Sequence, residues 1–234
     1  MSIDLFKQYL RSIPVVRRAY RFIIGDYINK RKSDRRRRDL HRYGFKVIEN
    51  VDAVLNKNNI NYFLDFGSLL GIVRNKDFIA HDLDLDFGIL ESGEFVWDNL
   101  EKLLNEKGLR KIRQFEYDGK ITEQTYCIGN LTIDFFIHFR ENNHDNAYCY
   151  FRKDNYFYDN ANVHHVSKLI MYPFEGIKRI QINNIEVNIP NEAEKYLESI
   201  YTKDWITPNP NWISENGPAW NELQDKFAEM RSFE

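Results

Sequence analysis

Residues 79–90 read IAHDLDLDFGIL, and this run limits the fold more than any other stretch of the chain. Asp82, Asp84 and Asp86 alternate with Leu83, Leu85 and Phe87. A period of two is the period of a strand, so the aspartates share one face and the apolar residues face a core. Asp is a poor strand former, and a solvated strand face ordinarily mixes Lys, Thr and Glu. Neighbours on one face lie about 6.6 Å apart at Cα, close enough for their carboxylates to converge. Two unit charges about 4 Å apart repel by roughly 4 kcal/mol at an effective dielectric near 20. Three of them on a half-buried strand are costly unless something neutralises them. A divalent cation does so, hard carboxylate oxygens selecting Mg²⁺ or Mn²⁺ over Zn²⁺. The alternative is an edge strand with a solvated polar face.

Two further features point the same way. NLTIDFFIHF is an apolar strand with a single carboxylate, Asp134, which is costly to bury without a partner. Paired beside the first strand, Asp134 becomes the third carboxylate of one site; the alternatives are that it caps a bulge or pairs with an arginine. Gly67-Ser68 sits at a strand-to-helix turn, where glycine admits a phosphate to the backbone and the helix-start amides can hold it. Arg74, about one and a half turns on, can anchor the same phosphate or stand as a surface arginine.

The surrounding pattern gives an α/β (or α+β) fold, a small mixed sheet flanked by helices. Stripes at 5–13 and 16–28, separated by Pro14, predict two helices. The run Arg35-Arg36-Arg37-Arg38 leads into a third, with Val47, Ile48, Val51, Val54 and Leu55 on one face. Strands are expected at 62–64, 82–90, 110–117, 123–128 and 131–139, with Gly129-Asn130 as a hairpin turn. GEFVWDNLEKLLNEKG is a helix stopped at Gly108. AYCYFRKDNYFY suggests a further hairpin, and a strand pair turns at Asn183-Asn184. Then comes a helix with an Asn191 cap, and a last helix from about Ala219. Adjacent His164 and His165 would point to opposite faces and not chelate together; they read as surface residues.

Charge is unevenly spread. Residues 1–46 carry 14 Lys/Arg against 4 Asp, a balance of +10, and the remainder carries 19 basic and 31 acidic residues, a balance of −12. We therefore divide the chain into a basic helical extension, 1–44, and a catalytic domain, 45–234. Two cysteines, Cys127 and Cys149, suggest neither a zinc site nor a disulfide framework, which fits a reducing, cytoplasmic setting. No signal peptide is visible, and no apolar run approaches the roughly 20 residues of a membrane-spanning helix.

Gly-Ser, then Asp-x-Asp on a strand, then a lone Asp on a later strand resembles the nucleotidyltransferase superfamily with the DNA polymerase β-like fold. FGSLLGIVRNKDFIAHDLDLDFGI is more specifically similar to the signature of the LicD/fukutin-related family. TIDFF and IEVNIPNEAEKYLESIYTKDW resemble its later elements, so the likeness covers residues 45–206. Family members usually carry Pro-Trp-Asp-Asp-Asp where this chain has Ala80-His81-Asp82-Leu83-Asp84. The resemblance implies metal-dependent transfer of a phosphorylated alcohol, such as phosphocholine or ribitol phosphate, from a CDP-activated donor to a hydroxyl of a glycan or lipid-linked glycan. It makes Asp84 and Asp86 the metal pair for Mg²⁺ or Mn²⁺, with Asp134 the third carboxylate. Gly67, Ser68 and Arg74 become contacts to the donor phosphates, with Asp82 and His81 auxiliary.

Other readings stay open. A nucleotidyltransferase that releases pyrophosphate from an NTP uses the same carboxylates; a non-catalytic subunit would not need Asp84, Asp86 and Asp134 intact. Nucleic acid is not an expected partner, because the body is acidic and shows no recognition motif. The basic segment 1–44 can lie on an anionic membrane surface, where lipid-linked glycans are made, or pack on the domain or a second subunit. A composition rich in Asn, Ile, Lys and Phe suggests an AT-rich, bacterial genome and hence capsule or surface polysaccharide modification.

Overall fold

A computed structural model of the chain describes residues 14–154 and 156–233, with side chains from residue 30 onward. The stripe expected at 5–13 lies outside the described residues, as do the side chains of the 16–28 stripe. One continuous helix, α1 (Pro14–Lys57), replaces the separate second and third helices. Pro14 opens it, in the first turn, where a missing N–H costs nothing. The helix runs without a break across residue 44, the expected domain boundary. Arginine is a good helix former, and Arg37 pairs with Asp34 at 3.2 Å one turn back. From Leu40 onward α1 enters the core, with Leu40, Ile48, Val51 and Leu55 fully buried.

The remaining elements follow as β1 (Tyr62–Leu64), α2 (Phe66–Asn75), β2 (Asp84–Leu90), α3 (Trp97–Asn105), β3 (Arg110–Tyr117), β4 (Lys120–Ile128), β5 (Leu131–Glu141), β6 (His144–Phe151), β7 (Val163–Met171), β8 (Ile177–Ile182), β9 (Ile185–Pro190), α4 (Ala193–Tyr201) and β10 (Trp220–Ser232). A mixed α/β architecture is therefore present, but its sheet is not small. Eight strands run in the order β1-β2-β5-β4-β3-β10-β7-β6, and β6 pairs back onto β5. Six strands, β5-β4-β3-β10-β7-β6, thereby close into a barrel, from which β2 and β1 extend at β5. The β2–β5 pair is parallel; the others in the sheet are antiparallel. β8 and β9 form a separate hairpin through Asn183 and Asn184, both at positive φ.

Four further expectations change. The C-terminal segment expected to be helical from Ala219 is strand β10, which bridges β3 and β7 and closes the barrel. AYCYFRKDNYFY is not a self-contained hairpin, because β6 ends at Phe151 and pairs with β5 and β7. Asn191 does not cap α4; its side chain donates to the Glu175 carbonyl, and Glu192 takes the cap position. His165 is buried, 4% exposed, among Phe151, Tyr156, Tyr158 and Phe227, while His164 packs edge-on against Phe115 across the strand.

Close packing where β1 meets β2 depends on Gly88. A Cβ there would lie 2.4 Å from Phe63 Cζ and 3.0 Å from His138 Cδ2. Gly88→Ala is expected to lower stability by about 1–3 kcal/mol through overpacking, read by urea denaturation; an unchanged midpoint would show that the Phe63 ring moves freely.

Candidate active site

β2 and β5 run parallel with Asp86 opposite Asp134 and Asp84 opposite Thr132. In-register pairing of two parallel strands puts their like-numbered positions on one face, so Asp84, Asp86 and Asp134 share a face while Leu85, Phe87, Ile133 and Phe135 turn into the core. Asp82 precedes the strand instead of lying on it, yet its carboxylate stays with the row. It fills the space over Gly67, where an added Cβ would sit 2.7 Å from Asp82 Oδ2. A side chain at 67 would push the Asp82 carboxylate aside, so glycine leaves it free to lie over the start of α2.

Burial and mutual repulsion push these carboxyls upward. Burial, then Asp84, lifts Asp82 to about 7; burial, then Asp134, lifts Asp84 to about 6. Asp86 stands well above the usual carboxylate range, by burial and then by Asp84, Asp82, Asp134 and Asp65. Burial also raises Asp134, against the pull of Arg113 and of the hydroxyl that Thr125 donates to its Oδ1. Glu123 on β4 is raised to about 8, by burial and then by Asp134.

Donor chemistry and register therefore fit a hard divalent cation held by Asp84, Asp86 and Asp134. As the side chains stand, no three His, Cys, Asp or Glu groups among the described residues close round one point. Sharing an ion takes rotamer changes. Thr132 Oγ1, opposite Asp84, is buried without a hydrogen-bond partner and adds an uncommitted oxygen beside the row.

The other expected residues fall on one side of the row. Ser68 is buried, and its hydroxyl accepts the Asp86 N–H at 2.9 Å. It binds α2 to the carboxylate strand, and its O–H proton and second lone pair stay uncommitted. Arg74 donates to the Trp205 carbonyl at 3.3 Å, while its Nε is buried and unpartnered. Gly67, Arg74, exposed His81, Asp82, Trp205 and Trp212 border a groove of about 530 Å³. A second cavity of about 380 Å³ lies along Asp84 and Asp134, walled by Arg36, Arg113, Thr132 and Ser232.

Sequence reading missed the support beneath this site. Asp65, fully buried, caps α2 by accepting the Phe66 N–H at 2.8 Å. Its carboxylate also accepts from Tyr196 at 2.9 Å and meets His138 Nε2 at 2.7 Å. His138 Nδ1 lies 2.8 Å from Asp145. Burial alone would lower the His138 pKa, but the Asp145 and Asp65 carboxylates override it and hold it near 10. His138 is thus an imidazolium between two carboxylates at neutral pH. The Asp65 N–H donates to the Asp86 carbonyl at 3.0 Å, so Asp86 is gripped at both its N–H and its C=O by the start of α2. An Asp between Leu64 and Phe66 is as anomalous as Asp134, and that signal was legible. Arg36 and Arg113 left none.

The profile of LicD/FKTN/FKRP, nucleotidyltransferase domain, matches residues 59–192, more than half of the chain. The chain belongs to this family. Uncharacterized proteins of Rickettsia prowazekii and Rickettsia typhi are 30% and 29% identical over 164 and 147 residues, or 67% and 62% of this chain. The matches cover 53% and 41% of those relatives, so the chain spans about half their length. Among solved structures it is similar to the crystal structure of ANT(2")-Ia in complex with adenylyl-2"-tobramycin. That likeness has 14% identity and a TM-score of 0.41, over 73% of this chain and 81% of that one. The solution structure of the same antibiotic-resistance factor scores 0.42 at 14% identity, over 75% and 79%. The matched family model describes a nucleotidyltransferase domain. The matched LicD span holds all three strand carboxylates and the Asp65–His138–Asp145 network. Arg36 lies before it, and Trp205 and Trp212 after it. No helix among the described residues is long and apolar enough to cross a membrane.

His138→Gln leaves Asp65 and Asp145 buried without their cation and is expected to cost roughly 3–5 kcal/mol. A raised His pKa adds stability that is complete below about 6.5 and is lost as pH rises through about 10. Urea midpoints of wild type should therefore fall between pH 7 and 10 more steeply than those of His138→Gln. Parallel profiles would show that His138 is neutral in the fold.

Proposed function

We propose that this LicD-family chain transfers a phosphorylated alcohol from a CDP-activated donor to a hydroxyl of a cell-surface glycan, with Mg²⁺ or Mn²⁺ as cofactor. The single observation that carries this reading is the row Asp84, Asp86 and Asp134, brought together by β2–β5 pairing beside a groove with an arginine and two tryptophans.

In the proposed reaction the acceptor oxygen attacks the phosphorus bearing the alcohol. A new P–O bond forms, the bridging P–O bond to CMP breaks, and the acceptor proton passes to a carboxylate. Asp134 would serve either as the third ligand of the ion or as that proton acceptor, with the Thr125 hydroxyl donating to its Oδ1. Arg74 and the amides following Gly67 would hold the donor phosphates, and Trp205 and Trp212 offer faces for the base or the alcohol. Asp84, Asp86 and Asp134 would hold the divalent ion, which neutralises charge on the phosphoryl oxygens when bound.

A cation also answers the repulsion in the row. A carboxyl with a raised pKa contributes stability that is present below about 4 and drains away as pH rises through its folded value, here about 6 to 7 for Asp84 and Asp82. Mg²⁺ or Mn²⁺ needs the deprotonated forms. The melting temperature is therefore expected to rise by a few degrees on adding Mn²⁺ at pH 7.5, and much less at pH 5. Asp84→Asn should abolish that gain; an equal gain in the variant would place the ion elsewhere.

The reading is tested by incubating the full chain with Mg²⁺, a panel of CDP-alcohols and NTPs, and a mixed glycan pool, while following CMP and pyrophosphate. CMP release from one CDP-alcohol is expected, with Asp84→Asn and Asp86→Asn about 10³-fold slower or worse and still folded by circular dichroism. Pyrophosphate release from an NTP would replace the reading with nucleotidyl transfer.

A further inference from the structure

The smaller cavity is not used by the donor as proposed above, and Arg36 and Arg113 line it together with Asp84 and Asp134. Arg113 reaches it from β3. Its Nε donates to Thr125 Oγ1 at 3.2 Å, while Nη2 stands 3.5 Å from Glu123 and 3.6 Å from Asp134. Those two contacts are longer than a charge-assisted hydrogen bond, and Nη1 makes none among the described residues. Arg36 reaches the cavity from α1, from the segment read in the sequence as a separate basic extension. It is half-buried, and its guanidinium has no hydrogen bond or ion pair within 4 Å among the described residues. Its neighbour Arg37, by contrast, is paired with Asp34.

We propose that Arg36 and Arg113 form an anion subsite that receives a phosphate or carboxylate group of the acceptor, in a cavity that shares no lining residue with the Arg74 groove. Planar guanidinium forks match the oxygens of a phosphate or carboxylate, and neither fork is saturated here. Size separates the two cavities. The groove, at about 530 Å³ with Trp205 and Trp212, suits a base or sugar, whereas 380 Å³ with one serine, two threonines, two arginines and the row's Asp84 and Asp134 suits a compact charged group. Displacement at phosphorus is in line, so the entering oxygen comes from the side opposite the leaving one. One cavity beside Asp82 and a separate one beside Asp84 and Asp134 leave room for donor and acceptor to enter apart. The assignment to the acceptor rests on the phosphotransfer reading; the presence of an anion subsite does not.

The test is calorimetry on the full chain with methyl phosphate and, separately, acetate, each with and without saturating Mg²⁺ and CDP. One of the two anions is expected to bind in both conditions. Arg36→Gln should weaken it about tenfold or more while CDP affinity changes less than about twofold. Arg74→Gln should do the reverse. Arg113→Gln should act like Arg36→Gln, but Arg113 also contacts Glu123 and Asp134, so the Arg36 comparison decides. No binding of either anion, or equal binding by wild type and Arg36→Gln, would overturn the subsite. Displacement of the anion by CDP, with both ligands weakened by Arg36→Gln, would overturn the acceptor assignment and give the arginines to the donor. Absence of CDP binding would count against the donor reading alone, because the Arg36 comparison without CDP still decides the subsite.

Discussion

Parallel pairing of β2 with β5, Asp86 against Asp134, is the contact on which everything else in this structure depends. It places like charges side by side on a half-buried face, which the chain can tolerate only by protonating them or by acquiring positive charge. The apolar side chains on the reverse face, Leu85, Phe87, Ile133 and Phe135, are fully buried and fix the register. Slipping either strand by one residue would turn its two core side chains out of the core, so the core enforces the carboxylate row.

Positive charge is supplied in graded form around that row. Beneath it, the buried His138 imidazolium holds Asp65 and Asp145, and Asp65 in turn holds the main chain of Asp86. Beside it, Arg113 and Arg36 lower the cost of Asp84 and Asp134 without fully pairing either. Across the groove, Arg74 does the same for Asp82. What remains unneutralised is the row itself. A divalent cation would both settle that repulsion and supply the electrophilic help that phosphoryl transfer needs. Stability and chemistry thus make the same demand, which is common where sites are built from mutually repelling groups.

Much of this was legible in the sequence, because period-two alternation and turn chemistry are local. Asp84, Asp86 and Asp134 announced themselves as acids in apolar strands, and Gly129-Asn130 and Asn183-Asn184 turn where expected. What was hidden is long-range. Trp220–Ser232 contains Glu, Leu, Gln, Lys, Ala and Met, good helix formers, yet barrel closure between β3 and β7 makes it a strand. Asp82 shares the alternation but sits before the strand, its carboxylate in the space over Gly67. Arg36 looked like part of a basic tail, and only the unbroken course of α1 carries it to Asp84. Ser68 looked like a phosphate ligand, but its burial under β2 makes it chiefly a brace for Asp86.

The most direct test of this account is anomalous scattering from crystals of the full chain soaked in Mn²⁺. A peak bound by carboxylate oxygens of Asp84, Asp86 and Asp134, at the oxygen–metal distances of a hard divalent ion, is the predicted result. An empty row in crystals that bind Mn²⁺ elsewhere, with the three carboxylates paired instead to arginines, would contradict it.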